Sequence, residues 1–215
     1  MAKPSNRQLV SLLSSRIPKT SWLNQLKIAY RPYVCPFNEL LDAIPLKASV
    51  FDIGCGSGMF LMLAAEYRQV QKLAGIEIHQ QLINNAESLL LYYQKPLQLS
   101  VFDGENIPEW LSEYDCITMI DVLHHIPAEQ QEKFLQQLYN KMKPKARLIF
   151  KDIDAAAIPW VYFNKLHDLI FAQEIGKEWK ASYFLQFAQK LGFQILQVHK
   201  KRTYVYPHYT VILEK

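Results

Sequence analysis

The order of apolar and polar positions divides the chain into a helical start, an alternating centre and an end that breaks the alternation. Residues 6–30 carry Leu9, Leu12, Leu13, Ile17, Trp22, Leu23, Leu26 and Ile28 at helical spacing, interrupted at Pro18. After Pro32 and Pro36 a second helix is predicted from Phe37 to Ala43. Short apolar runs then take turns with helical patterns. Strands are predicted at Ser49–Ile53, Lys72–Ile78, Leu97–Phe102, Tyr114–Ile120 and Lys145–Lys151. Helices are predicted at Ser57–Tyr67, Gln80–Gln94 and Pro127–Met142, the last with Pro at its first turn and a Glu just inside. Strands separated by helices imply a parallel, doubly wound sheet. Past the helix Tyr183–Leu191, which Gly192 stops, Phe193–His199 and Tyr204–Leu213 read as strands joined by a short turn, and a short turn forces them antiparallel. Pro207 inside the last of these suggests a bulge or an edge.

The densest chemical signal is Val50-Phe51-Asp52-Ile53-Gly54-Cys55-Gly56-Ser57-Gly58. An apolar run ends in an acid, glycines follow at every second position, and a helical pattern begins at Met59. A strand, a tight turn and a helix N-terminus in this order form the place where an α/β sheet holds a nucleoside-like ligand. The spacing separates two ligand classes. A dinucleotide fold wants G-x-G-x-x-G, but Met59 occupies the position of the third glycine.

This D-x-G-x-G-x-G pattern resembles the first motif of class I methyltransferases dependent on S-adenosylmethionine, and the resemblance extends from about Ala48 to Asp152. It implies an α/β, Rossmann-like, doubly wound seven-stranded sheet with a C-terminal antiparallel hairpin, preceded by N-terminal helices. It also implies S-adenosylmethionine as cofactor. Gly54, Cys55, Gly56 and Gly58 would form the loop, and Asp52 would take the cofactor's ammonium. Glu77, 19 positions past Gly58, would hold both ribose hydroxyls, with Ile78 beside it. Asp103 and Gly104 would meet the adenine, although Asp-Gly is equally an ordinary turn. The run Tyr114 to Ile126 resembles the fourth motif, and places Asp121 and Val122 at the cofactor. His124 and His125 follow. Either is a candidate general base because imidazole titrates near neutrality, and either can instead shape the pocket.

Composition narrows the setting. The chain has 215 residues, half of them hydrophobic, enough for one sizeable core. We expect a single domain, 1–215: an N-terminal helical lid (1–45), a cofactor-binding core (48–152) and a helical insertion near the substrate (153–180). A net charge of +4 invites nucleic acid, but the dense basic cluster, His199-Lys200-Lys201-Arg202, is short enough to be a solvated turn. The start lacks the apolar stretch of a secretory signal, no run is long enough to span a membrane, and three cysteines lack metal-ligand spacing. A cytoplasmic enzyme without a metal is the expectation, and a site close to a membrane surface is compatible with it.

Aromatic residues crowd the predicted lid and insertion: Trp22, Tyr30, Tyr33, Trp160, Tyr162, Phe163 and Phe171. Such a lining favours a small acceptor with apolar parts, or a lipid-like one, methylated on oxygen or carbon. Two alternatives remain: an RNA or protein methyltransferase, and a cofactor-binding accessory subunit without catalysis. The first lacks an Asn-Pro-Pro-Tyr-type motif, since residues 121–124 read Asp-Val-Leu-His.

Overall fold

The computed structural model describes residues 3–17, 30–156, 177–203 and 206–215. Much of the expected lid (18–29) and of the expected insertion (157–176) lies outside them, and with it Trp22, Trp160, Tyr162, Phe163 and Phe171. The protein is α/β, with a mixed sheet of seven strands. Two compact units contribute to it, 1–102 and 103–215.

In the first unit, α1 (Asn6–Arg16) starts at a capping box. The Ser5 hydroxyl accepts from the Gln8 amide at 3.3 Å while the Gln8 side chain accepts from the Ser5 amide at 2.8 Å. Helix α2 (Phe37–Ala43) follows. Strands β1 (Ser49–Ile53), β2 (Lys72–Glu77) and β3 (Leu97–Val101) are parallel, with β2 central. Helix α3 (Met59–Tyr67) connects β1 to β2, and α4 (Gln80–Leu90) connects β2 to β3. Six of the nine α3 residues are buried, and in β1 only Ser49 is partly exposed. A parallel strand covered on both faces must read as a continuous apolar run. The predicted helix after β2 was longer: past Leu90 the chain tightens into a 3₁₀ turn, Leu91–Tyr93, and Gln94 at φ 48° ends it.

In the second unit, β4 (Cys116–Ile120) and β5 (Arg147–Ile153) are parallel, flanking α5 (Ala128–Lys141) in sequence. Helix α6 (Ala181–Leu191) precedes the antiparallel pair β6 (Gln194–Thr203) and β7 (Tyr206–Glu214), with β7 between β5 and β6. Pro207 therefore lies in an inner strand. The irregularity sits instead in β6, between Ile195 and Gln197. Gly192 ends α6 at φ 106°, where a Cβ would come within 2.5 Å of the Tyr139 hydroxyl. Phe150, Phe184 and Tyr209 form the aromatic centre, the first two stacked at 3.8 Å. Among the described residues no helix is long and apolar enough to cross a membrane. Cys35, Cys55 and Cys116 are buried thiols, none in a disulfide.

Candidate functional site

In the first unit the candidate residues gather at the carboxyl ends of β1 and β2. Gly54, Gly56 and Gly58 all take positive φ (70°, 53° and 78°), which a side chain would resist. Gly58 is the N-cap of α3 and packs on α4, where a Cβ would stand 3.0 Å from that of Ala86. At Gly56 the space is open: a Cβ would meet nothing within 4 Å among the described residues. The loop's amides are mostly engaged internally. Gly54 and Cys55 donate to the Ile76 carbonyl at 2.9 and 3.1 Å, and Gly58 donates to the Cys55 carbonyl at 2.9 Å.

Glu77 closes this arrangement. One carboxylate oxygen accepts from the Gly56 amide at 3.1 Å and the other from the His79 amide at 3.2 Å. The carboxylate is thus held at a fixed angle beside the glycine loop, and each oxygen keeps lone-pair capacity for a ligand hydroxyl. Ile78 is 56% exposed directly next to it. Asp52 is buried, and its charge reaches Cys55. Burial first, and then the carboxylates of Asp52 and Glu77, push the Cys55 thiol upward and keep it protonated. Gly75 is obligatory for the same residue, because a Cβ there would come within 2.7 Å of the Cys55 Cβ. An oriented carboxylate, an exposed apolar side chain and an open backbone turn are what a purine riboside needs.

In the second unit Asp103 holds its own turn. One oxygen accepts from the Glu105 and Asn106 amides at 2.8 and 2.7 Å, and the other accepts from the Asn106 side chain at 2.9 Å. Those bonds, the Asn106 amide foremost, hold the carboxyl below its ordinary range. Gly104 follows at φ 88°, and a Cβ there would meet nothing within 4 Å among the described residues.

After β4 the chain turns at Asp121, a non-glycine residue at φ 56°. Its carboxylate accepts from the Lys151 ammonium, which is almost completely buried, while a fifth of the Asp121 side chain remains exposed. A lysine so deep needs its counter-charge. Val122 leads into the 3₁₀ turn Leu123–His125. His124 is buried and its Nδ1 lies 2.5 Å from the Asp152 carboxylate, also buried, whereas His125 is exposed with its ring 4.1 Å from that of His124. The Gln131 amide donates to the Leu123, Ile126 and Lys177 carbonyls at 2.9, 3.0 and 3.0 Å, bracketing the histidine turn.

Sequence reasoning found Asp121 and the histidines but not Lys151, Asp152 or Gln131. The strand was expected to stop at Lys151 and runs on through Ile153. Adjacent residues on a strand face opposite ways, so Lys151 takes Asp121 and Asp152 takes His124. A signal was available: two charges at the end of an apolar strand need partners. No group of three potential metal ligands occurs among the described residues.

A family model described as a methyltransferase domain matches residues 27–198, most of the chain. The chain belongs to the class I S-adenosylmethionine-dependent methyltransferases. Its cofactor is S-adenosylmethionine. The chain is 26% identical over 168 residues to a ubiquinone biosynthesis O-methyltransferase of Coxiella burnetii, covering 72% of this chain and 68% of that protein. It is also 27% identical over 126 residues to a carboxy-S-adenosyl-L-methionine synthase of Campylobacter fetus. That match covers 56% of this chain and about half (53%) of the relative's length. Among solved structures, the Synechocystis magnesium protoporphyrin IX methyltransferase with bound S-adenosylhomocysteine superimposes with a TM-score of 0.68 at 16% identity. The overlap covers 96% of this chain and 93% of that one, and at this identity it speaks for the fold alone.

Proposed function

We propose that the whole chain, 1–215, acts as one domain that transfers the methyl group of S-adenosylmethionine to a small, largely apolar or lipid-like acceptor, on oxygen or carbon. The observation that carries the cofactor half is Glu77, pinned between the Gly56 and His79 amides beside an open glycine turn. Its two oxygens receive the ribose diol, Ile78 covers a face of the purine, and the buried Asp52 carboxylate attracts the ammonium. Asp103 keeps spare lone pairs for the adenine amino group, and Gly104 lets the backbone approach the ring. Bound there, the cofactor supplies an electrophilic methyl on a sulfonium.

Asp121 faces the sulfonium in this reading. With Lys151 on its carboxylate, it offers the sulfonium a compensated charge, and its positive φ aims the chain at Val122 and the histidine turn. The protein's task is then alignment of an in-line displacement. The acceptor class rests on two supports. One relative is a ubiquinone biosynthesis O-methyltransferase, and residues 121–124 lack an amide-recognition motif. Exposed Tyr30 and Tyr33 stand ready as further apolar surface.

The test is transfer of labelled methyl from S-adenosylmethionine to separately offered organic-soluble, RNA and protein fractions of a cell extract. Label in the organic-soluble fraction is expected. Label confined to RNA or protein would replace the acceptor assignment. Binding of cofactor with no labelled product in any fraction would favour the accessory-subunit reading.

A further inference from the structure

We propose that the second unit binds a protonated primary amine with an apolar body, in the cavity between the first turn of α5 and the residues leading into α6. The side-chain oxygen of Gln131 takes one of its N–H groups. Such a site requires no methyl transfer.

Gln131 is completely buried. Its side-chain nitrogen lies against the Leu123, Ile126 and Lys177 carbonyls at 2.9, 3.0 and 3.0 Å. Those neighbours fix which end of the amide is which, since the reversed amide would set an oxygen against three oxygens. The amide oxygen, in turn, has no hydrogen-bond partner among the described residues. Backbone and side-chain acceptors at this depth are nearly always paired, because an unmet acceptor forfeits its hydration. Gln131 is part of the wall of a cavity of about 390 Å³, a volume in the range of small-molecule pockets. A ligand held there supplies the missing donor.

The rest of the wall selects the charge. Glu129, Glu132 and Glu178 line the cavity against one ammonium, that of Lys177. A helix N-terminus favours an anion, but Glu129 already stands in the first turn of α5. A bare metal ion is poorly served, because no group of three potential metal ligands occurs among the described residues. The aromatic part of the wall instead suits an organic cation. Trp179 and Tyr183 both line the cavity, and their rings meet edge to face, with centroids 4.7 Å apart and planes at 74°. Tryptophan and tyrosine faces attract an ammonium and cover the carbon skeleton that carries it.

The corner is held in place by its own contacts. The Tyr183 hydroxyl donates to the Glu132 carboxylate. Trp179 also packs against Phe187, at 5.6 Å, and its carbonyl accepts from the Ala155 amide at 3.2 Å. Carboxylates and ring faces would accept any cation of this size. The Gln131 oxygen adds a demand that only a cation with an N–H group meets.

Titration of the full chain with 2-phenylethylammonium at neutral pH, followed by ¹H–¹⁵N spectra, tests this without cofactor. The Trp179 indole signal, assigned by its loss in Trp179→Leu, should shift saturably. The neutral 2-phenylethanol and the anionic 3-phenylpropionate should each bind at least about tenfold more weakly, and so should the N,N,N-trimethyl derivative, which has no N–H to donate. Replacing the two exposed carboxylates together, Glu129→Gln with Glu132→Gln, should weaken the amine about fivefold while unfolding stays cooperative. Trp179→Leu, followed by calorimetry, should weaken it roughly tenfold. A Trp179 signal that does not respond to the amine overturns the proposal. Equal binding of the alcohol or the carboxylate overturns it as well, as does an unchanged affinity in the double Gln variant. Equal binding of the trimethyl derivative overturns the role of Gln131.

Discussion

Exchanging Asp121 for Asn takes a charge from a pair whose other member has nowhere to go. The Lys151 side chain is 1% exposed, whereas that of Asp121 is 22% exposed. Losing either partner is therefore unequal in cost. In Asp121→Asn the ammonium stays buried without a counter-charge. Breaking a buried pair costs roughly 3–5 kcal/mol, and because Asn still offers an acceptor oxygen we place this variant at the lower end, about 3 kcal/mol. Asn also tolerates the left-handed conformation at φ 56°, so the backbone adds little. In Lys151→Met the remaining carboxylate can recover water through its exposed fifth, and Met replaces the buried stem; about 1 kcal/mol is expected. The double variant should lose only about 1–2 kcal/mol, which makes the coupling about 2–3 kcal/mol. Urea unfolding of the four proteins, compared by midpoint at constant m-value, measures this directly. Equal losses in the two single variants, or strict additivity in the double, would refute the assignment of Lys151 as the buried, dependent partner.

The remaining predictions concern other elements. Burial pushes the Asp154 carboxyl up, but the Ala156 and Ala181 amides and Lys200 outweigh it and hold it below the ordinary value. A depressed carboxyl contributes stability above its unfolded value, about 3.9, and loses it as pH falls through the folded one. Asp154→Asn should thus be less stable than wild type by a constant margin from pH 7 to 5, closing below about pH 4; a margin undiminished at pH 2.5 would contradict this. Gly56→Ala should fold with a modest loss, about 1 kcal/mol from strain alone, yet bind S-adenosylhomocysteine more weakly, because the new methyl enters the open space over the turn. Gly75→Ala, whose Cβ collides with Cys55, should instead cost about 1–3 kcal/mol, and Cys55→Gly in the same chain should relieve it; thermal melts with and without ligand distinguish the two glycines. Methyl transfer should persist in the presence of a chelator, and activity lost to chelator and regained with magnesium would overturn that expectation.

How much was legible in the sequence depended on the range of the interaction. The glycine loop could be read because its demand is local. Each alternate residue needs positive φ or close approach, and only glycine meets that freely. Glu77 followed from its place at the end of an apolar strand. The antiparallel end of the sheet followed from the short link between two β-like runs. What escaped was polar and non-local. Lys151 and Asp152 look like the charged exit of a strand, so the strand seemed to stop there. Their partners lie 30 and 28 positions earlier, and nothing in the local pattern announces the pairing. Gln131 reads as a polar position on an amphipathic helix, and only the fold reveals three carbonyls around it. Pro207 pointed to an edge by a sound rule. Its strand is inner, but Pro207 itself lies one residue beyond His208, the last residue in the β5 register, and is paired in register with Arg202 of β6 alone.

The claim on which the rest depends is that the turn from Gly54 to Gly58 and the carboxylate of Glu77 hold S-adenosylmethionine. Calorimetric titration of S-adenosylhomocysteine into wild type and Glu77→Ala tests it most directly. Removing a charge-assisted, two-oxygen contact costs on the order of 1.5–3 kcal/mol, about a 10- to 150-fold loss of affinity. The account predicts that loss, with one site per chain and an unfolding transition for the variant that remains cooperative. A folded Glu77→Ala protein that binds like the wild type, or a wild type that does not bind at all, would contradict it.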